Sequence, residues 1–174
     1  NELTPLGAEL ARLPLDPRVG RMILAARDEH CLEQGLVIAA GLSVQDPRER
    51  PLERQAAAGL AHAKFDDPRS DFLAYPRLWK HFGELLEHKK SNRKLAEACR
   101  DGFLSVGRMR EWREVHTQLH AAVAEMGWKM SSTDAATLEG YRAVHRALLA
   151  GLLGNVGMKT EESGAYTGAR GIKF

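Results

Sequence analysis

Residues 3–42 read LTPLGAELARLPLDPRVGRMILAARDEHCLEQGLVIAAGL, and this stretch decides the fold class. Thr4 before Pro5 is an N-cap followed by proline at the first helical position, where a missing N–H costs nothing. The helix it starts should run to about Leu13, and Pro14 stops it. Asp16-Pro17 repeats the signal for a second helix, with Val19, Met22, Ile23 and Ala26 at spacings of three and four on one face. The third segment, Leu32 to Leu42, is apolar nearly all round through Leu36, Val37, Ile38, Ala39 and Ala40, the pattern of a buried central helix.

Working outward, the same helical grammar continues. Asp46-Pro47 and Pro51 mark a loop, and Leu52 to Phe65 is Ala-rich and helical. Asp67-Pro68-Arg69-Ser70 forms a turn whose Ser70 can cap a helix through about Leu86, despite Pro76 near its start. Ser91-Asn92 caps a segment to Cys99, closed by Asp101-Gly102. The longest helix should span about Ser105 to Met126, ended by Gly127, with a stripe of Met109, Trp112, Val115, Leu119, Val123 and Met126. Ser131-Ser132-Thr133-Asp134 offers several caps for a last helix carrying Leu138, Tyr141, Val144, Leu148 and Leu152. After Gly154-Asn155 short β-leaning pieces stand around Val156, Tyr166 and Ile172-Lys173-Phe174. The expected fold is all-α, a helical bundle over residues 4–154, with a short β-forming C-terminal appendage over 155–174.

Composition bounds the function. A chain of 174 residues with 44% hydrophobic content can bury a core, and its net charge of +2 demands no nucleic-acid partner. The charge is uneven, however: residues 77–113 hold ten Lys and Arg, Lys89 and Lys90 among them, against five acids. Cys31 and Cys99 match no zinc or redox spacing, which fits a reducing compartment. No apolar run reaches the roughly 20 residues of a membrane span. The chain opens at Asn1 without an initiator Met and reads as a fragment.

Nothing in the sequence carries catalysis. There is no G-x-x-x-x-G-K-[ST] string to cradle phosphates and no G-x-S-x-G elbow. Asp28-Glu29-His30 closes an amphipathic helix instead of following a buried strand. His116 and His120 stand at i, i+4, but no third ligand accompanies them, so solvated helix histidines are favoured over a metal. Arg110 and Arg113 share a helical face opposite the Trp112 stripe, with Arg108 nearby, and such a face can hold phosphates. Composition alone favours pairing of these arginines with Glu111 and Glu114. Trp79 and Trp112 can stack bases, but both fall on apolar stripes, which favours core packing.

Residues 3–23 resemble LT-x-LG-x-x-(L/M)A-x-LP-x-DPR-x-x-(R/K)M(I/L), the opening of the helicase-associated region of DEAH-box RNA helicases. Residues 39–51, AAGLSVQDPRERP, look like the family's AA-x-LS-x-x-(D/N)PR-x-RP, and residues 64–73 look like its F-x-x-x-x-SD-(H/F)-L. Residues 103–116, FLSVGRMREWREVH, and 166–170, YTGAR, are similar to a bacterial branch; eukaryotic members carry a string near FLN-Y-RSL at the first of these. The resemblance implies an order of two RecA-like ATPase domains, a winged helix, this ratchet-like bundle and an OB-fold. Residues 1–3 would be the tail of the winged helix, and 155–174 the start of the OB-fold. The bundle would form one wall of a channel for single-stranded RNA, or DNA, with Ser105, Arg108 and Arg110 facing the strand, Arg77 and Lys80 next, and Arg113 beside them. ATP and Mg would serve a full-length cytoplasmic parent, whose RecA-like and winged-helix domains would be partners. The chain itself would hold no cofactor or metal and hydrolyse nothing. The rival reading is a protein-interaction module that docks those domains or an activator.

Overall fold

Thr4 and Asp16 both act as the caps expected of them. Thr4 Oγ1 accepts from Gly7 N at 3.1 Å to start α1 (Pro5–Leu10), and the Asp16 carboxylate accepts from Arg18 N at 2.8 Å to start α2 (Pro17–Asp28). The structure is a computed structural model that describes residues 2–88, 91–161 and 164–173; Asn1, Lys89, Lys90 and Phe174, used above, lie outside the described residues. α1 ends three residues earlier than expected, and the chain turns on through Leu13, whose side chain is buried.

α3 (Leu32–Leu42) is the central helix, with eight of its eleven residues buried. Its N-cap, Cys31, offers no side-chain oxygen, so the bonds come from far along the chain. Leu32 N donates to Ser131 Oγ at 3.3 Å and Glu33 N to Ser131 O at 2.9 Å. Gln34 Nε2 donates to Ser132 Oγ and to Thr133 O, both at 2.8 Å. Residues 131–133 therefore close the start of α3. The cap of the last helix is Thr137, whose Oγ1 accepts from Gly140 N at 3.1 Å.

α4 (Gln55–His62) is flanked by 3-10 turns at Leu52–Arg54 and Ala63–Phe65. A further 3-10 turn, Asp71–Leu73, leads into α5 (Ala74–His88). Ser70 caps nothing here: its hydroxyl donates to His145 Nε2 at 2.6 Å, while His145 Nδ1 donates to Tyr141 O at 2.7 Å. Pro76 is tolerated because N–H groups in a helix's first turn have no intrahelical acceptor. Ser91 caps α6 (Asn92–Asp101), and Ser105 caps α7 (Val106–Glu125), with Oγ accepting from Arg108 N at 3.4 Å. Gly127 leaves α7 at φ +73°. α8 (Leu138–Leu152) completes the bundle.

α3 separates two apolar clusters. Leu36, Val37 and Ala40 pack with Leu78 and Phe82 of α5, Leu95 and Cys99 of α6, and Met109, Trp112, Leu119 and Val123 of α7. Ile38 packs with Met22 and Ala26 of α2 and Val144, Ala147 and Leu148 of α8. The α7 stripe is as expected, with Val115 and Met126 partly buried. On α8 Val144 and Leu148 are buried, in keeping with the sequence reading, and Tyr141 and Leu152 partly so, but Leu138 is 57% exposed. Gly140, Ala143, Ala147 and Gly151 complete the buried face. Small residues let α8 approach α2 closely: a Cβ on Gly151 would collide with the Arg18 carbonyl oxygen.

Beyond a 3-10 turn at Leu153–Asn155, β1 (Met158–Lys159) pairs antiparallel with β2 (Tyr166–Thr167), Met158 opposite Thr167. Thr167 also bridges to Lys173. Val156, expected in a β piece, lies just before β1. The architecture is an all-α bundle with a small β appendage.

Candidate nucleic-acid interface

Asp-Pro-Arg occurs three times, at 16–18, 46–48 and 67–69. Each time the Asp carboxylate accepts from the Arg N–H two residues on, at 2.8, 2.9 and 2.9 Å. Proline fixes φ and the short aspartate bonds its own backbone, so a tight turn forms. The first copy starts α2 and the third precedes α5. The second builds a joint with the start of α7. Ser105 N donates to Pro47 O and Glu49 N to Phe103 O, both at 2.8 Å, with Arg48 and Leu104 in an antiparallel bridge.

Polar groups surround this joint. Arg48 Nη2 lies 2.7 Å from the Asp46 carboxylate. Burial alone would raise the Asp46 carboxyl, but hydrogen bonds from the Arg48 side chain and backbone outweigh it and hold the group below the ordinary carboxylate range. Phe103, at φ +52°, presents its carbonyl to a second donor, His62 Nε2, at 3.0 Å. The Arg54 guanidinium stands 4.6 Å from the Phe103 ring centroid. Sequence reasoning missed Arg48, Arg54 and His62 as parts of one unit, since the contacts join distant segments. The repeated Asp-Pro-Arg was the one local signal available.

From this joint the expected residues emerge along α7. Ser105 is half-buried and spends its hydroxyl on the cap. Arg108, also half-buried, donates from Nη1 to Asp46 O at 3.1 Å. Arg110 is exposed and donates to Asn92 Oδ1 at 2.9 Å. Arg113 is half-buried with its guanidinium 4.8 Å from the Trp79 ring centroid. A guanidinium carries five N–H donors, so contacts like these leave N–H groups for an anion.

The two α5 residues behave differently from each other. Arg77 donates to the carbonyls of Phe65 and Asp66 and pairs with Asp67 at 2.8 Å, so it closes the turn before α5. Lys80 is exposed and has no bonded partner among the described residues. The structure thus brings Ser105, Arg108, Arg110 and Arg113 onto one helix. It joins α5 to them through Trp79, which packs against Trp112 with ring centroids 5.2 Å apart. Trp112 is fully buried and Trp79 half-buried.

The remaining sequence features fall elsewhere. Glu29 bonds Arg146 of α8, and His30 turns the chain at φ +55°. The His116 and His120 ring centroids lie 6.2 Å apart. Among the described residues no group of three or more His, Cys, Asp or Glu is placed to hold a metal, and no helix is long and apolar enough to cross a membrane.

Residues 16–75 match the family described as helicase associated domain (HA2), ratchet-like. Over 173 residues, 99% of the chain, it is 43% identical to the ATP-dependent RNA helicase HrpA of Escherichia coli (strain K12). It is 40% identical over 172 residues to the HrpA homolog of Haemophilus influenzae. It is 25% identical over 135 residues to the pre-mRNA-splicing factor ATP-dependent RNA helicase DEAH10 of Arabidopsis thaliana. The chain spans 13% of the length of each of the two bacterial relatives and 19% of the plant one.

Proposed function

Because this chain belongs to the DEAH-box helicase family, as its ratchet-like helicase-associated region, we propose that it forms one wall of a channel for single-stranded RNA in a longer ATP-dependent helicase. The observation that carries this is the set of guanidiniums on the first turns of α7: Arg110 and Arg113 share a face, and Arg108 bonds Asp46 O at the joint with residues 46–49. A rigid row of partly free guanidiniums holds phosphates without reading sequence. ATP, Mg and hydrolysis belong to parts of the parent outside this chain, and residues 155–174 open its OB-fold.

The test is fluorescence anisotropy of labelled single-stranded RNA at about 50 and 200 mM salt, comparing the chain with Arg110→Ala and with Arg108→Ala/Arg110→Ala. Weak binding that fades with salt and falls further in each variant is expected. Binding indifferent to both variants would remove the strand from α7.

A second reading, docking of a protein partner, draws on exposed apolar side chains. Leu52 and Leu60 on and beside α4 are 87% and 80% exposed. If docking is the main role, Leu60→Gln would weaken binding of the parent's other domains without changing RNA affinity.

A further inference from the structure

The α7 row passes a cleft that the reading above does not use. It measures about 440 Å3, within the range of about 300–1,000 Å3 typical of small-ligand sites, and lies where α3, α5 and α7 meet. Val37, Pro76 and Met130 give it apolar walls. Trp79 and His116 add two rings with centroids 4.5 Å apart and planes 44° apart. Burial, helped by His120 and Arg113, pushes the His116 pKa down to about 4, so at neutral pH this ring is an uncharged aromatic surface.

The polar groups of the cleft select among ligands. Gln34 is occupied by Ser132 and Thr133. Glu33 is exposed, and its carboxylate forms no hydrogen bond or ion pair among the described residues, acting on His116 only through space. A carboxylate repels phosphate and accepts N–H, as Glu does from the amino group of cytosine. The cleft therefore disfavours phosphate and suits a flat ring with an amino group. Arg113 connects it to the basic row, since its guanidinium stands beside Trp79. Arg110 precedes His116 by six residues, about 9 Å along the helix.

We propose that this cleft receives one base of the bound single strand, stacked against Trp79 and His116 and donating an amino N–H to Glu33, while Arg110 and Arg113 hold the neighbouring phosphates. The proposal rests on the RNA-guiding reading and adds a base preference to it. Cytosine carries the required amino group and uracil does not.

Anisotropy with labelled 12-mers of cytidine, of uridine and of an abasic backbone of equal charge separates the possibilities. The cytidine strand should bind about three- to tenfold more tightly than the uridine strand, the worth of one hydrogen bond. The abasic strand should bind at least about fivefold more weakly than the uridine strand, through loss of stacking. Glu33→Ala, a substitution at an exposed position, should erase the cytidine advantage while uridine affinity holds or rises. Equal affinity for all three strands would overturn the base site and leave the phosphate row standing, with the cleft free for an aromatic side chain of a neighbouring domain. A cytidine advantage that survives Glu33→Ala would overturn the role of that carboxylate. Binding of none of the three would overturn this proposal and the RNA-guiding reading together.

Discussion

Trp112 shows how one side chain can hold two helices. Its ring is fully buried, and its Nε1 donates to Val37 O at 2.9 Å, so the indole carries no unmet polar group into the core. Trp112→Phe removes the hydrogen bond and leaves a small void, and it should lower unfolding free energy by about 1–3 kcal/mol. A fall in the urea midpoint at unchanged slope checks this. His116 sets a pH dependence. Its folded pKa of about 4 lies below the ordinary histidine value, because burial disfavours the charged ring. Between about pH 6.5 and 4 the unfolded chain therefore binds more protons, and stability falls on acidification across that window. His81, lowered by burial and then by Lys64, acts in the same direction. Urea midpoints at pH 7.5 and 5 should differ in this sense, and His116→Gln should shrink the difference. Single residues were legible where the chemistry is local: Thr4 and Asp16 as helix starts could be read from their neighbours. Ser70 was misread because its partner, His145, lies 75 residues away. Arg77 was named for its charge, but its bonds to residues 65–67 show only in three dimensions.

At the scale of the element, helices α2, α3 and α7 were legible nearly to the residue, α2 through its cap and apolar face, α3 through its apolar run, and α7 through its stripe and the Gly127 terminator. α8 was harder. Val144 and Leu148 of its buried face were read, but Gly140, Ala143, Ala147 and Gly151, which complete that face, are residues that a search for large apolar side chains passes over. That face has a cost if altered. Gly151→Ala would drive a Cβ into the Arg18 carbonyl oxygen and the Met22 side chain, and backbone can yield only by parting α2 from α8. Thermal or urea unfolding should show a loss of about 1–3 kcal/mol. Exposed Gly59, with no atom near its Cβ position, should accept alanine without loss, and serves as the control. The cap of α8 gives a smaller figure: Thr137→Ala should cost about 1 kcal/mol. Ser131→Ala should weaken α3 instead, through the bond from Leu32 N. The shared face of Arg110 and Arg113 on α7 was legible from their spacing, whereas the joint at the start of that helix was not, because Pro47 and Ser105 meet only in the folded chain.

For the whole molecule, the question is whether the two apolar clusters flanking α3 unfold together. α3 belongs to both, with Leu36 and Val37 on one side and Ile38 on the other. An inner helix shared in this way loses one of its two supports when either cluster opens. All three tryptophans, Trp79, Trp112 and Trp128, lie in or against the cluster that includes α5 and α7. Trp128 also touches α2, whose Arg27 guanidinium lies 4.4 Å from its ring centroid, so in a Trp128→Phe background the fluorescence of Trp79 and Trp112 reports one side, while far-UV circular dichroism reports every helix. Leu148→Ala deletes packing in the opposite cluster and should cost about 2–5 kcal/mol. If α3 couples the layers, the fluorescence midpoint falls with the dichroism midpoint, and the two curves superimpose. If the α2 and α8 layer melts by itself, dichroism falls early and fluorescence stays at its wild-type midpoint. The first outcome bears on function as well as stability. A bundle that unfolds as one body holds α7 rigid even when load falls on α2 or α8, which the proposed strand-guiding role requires.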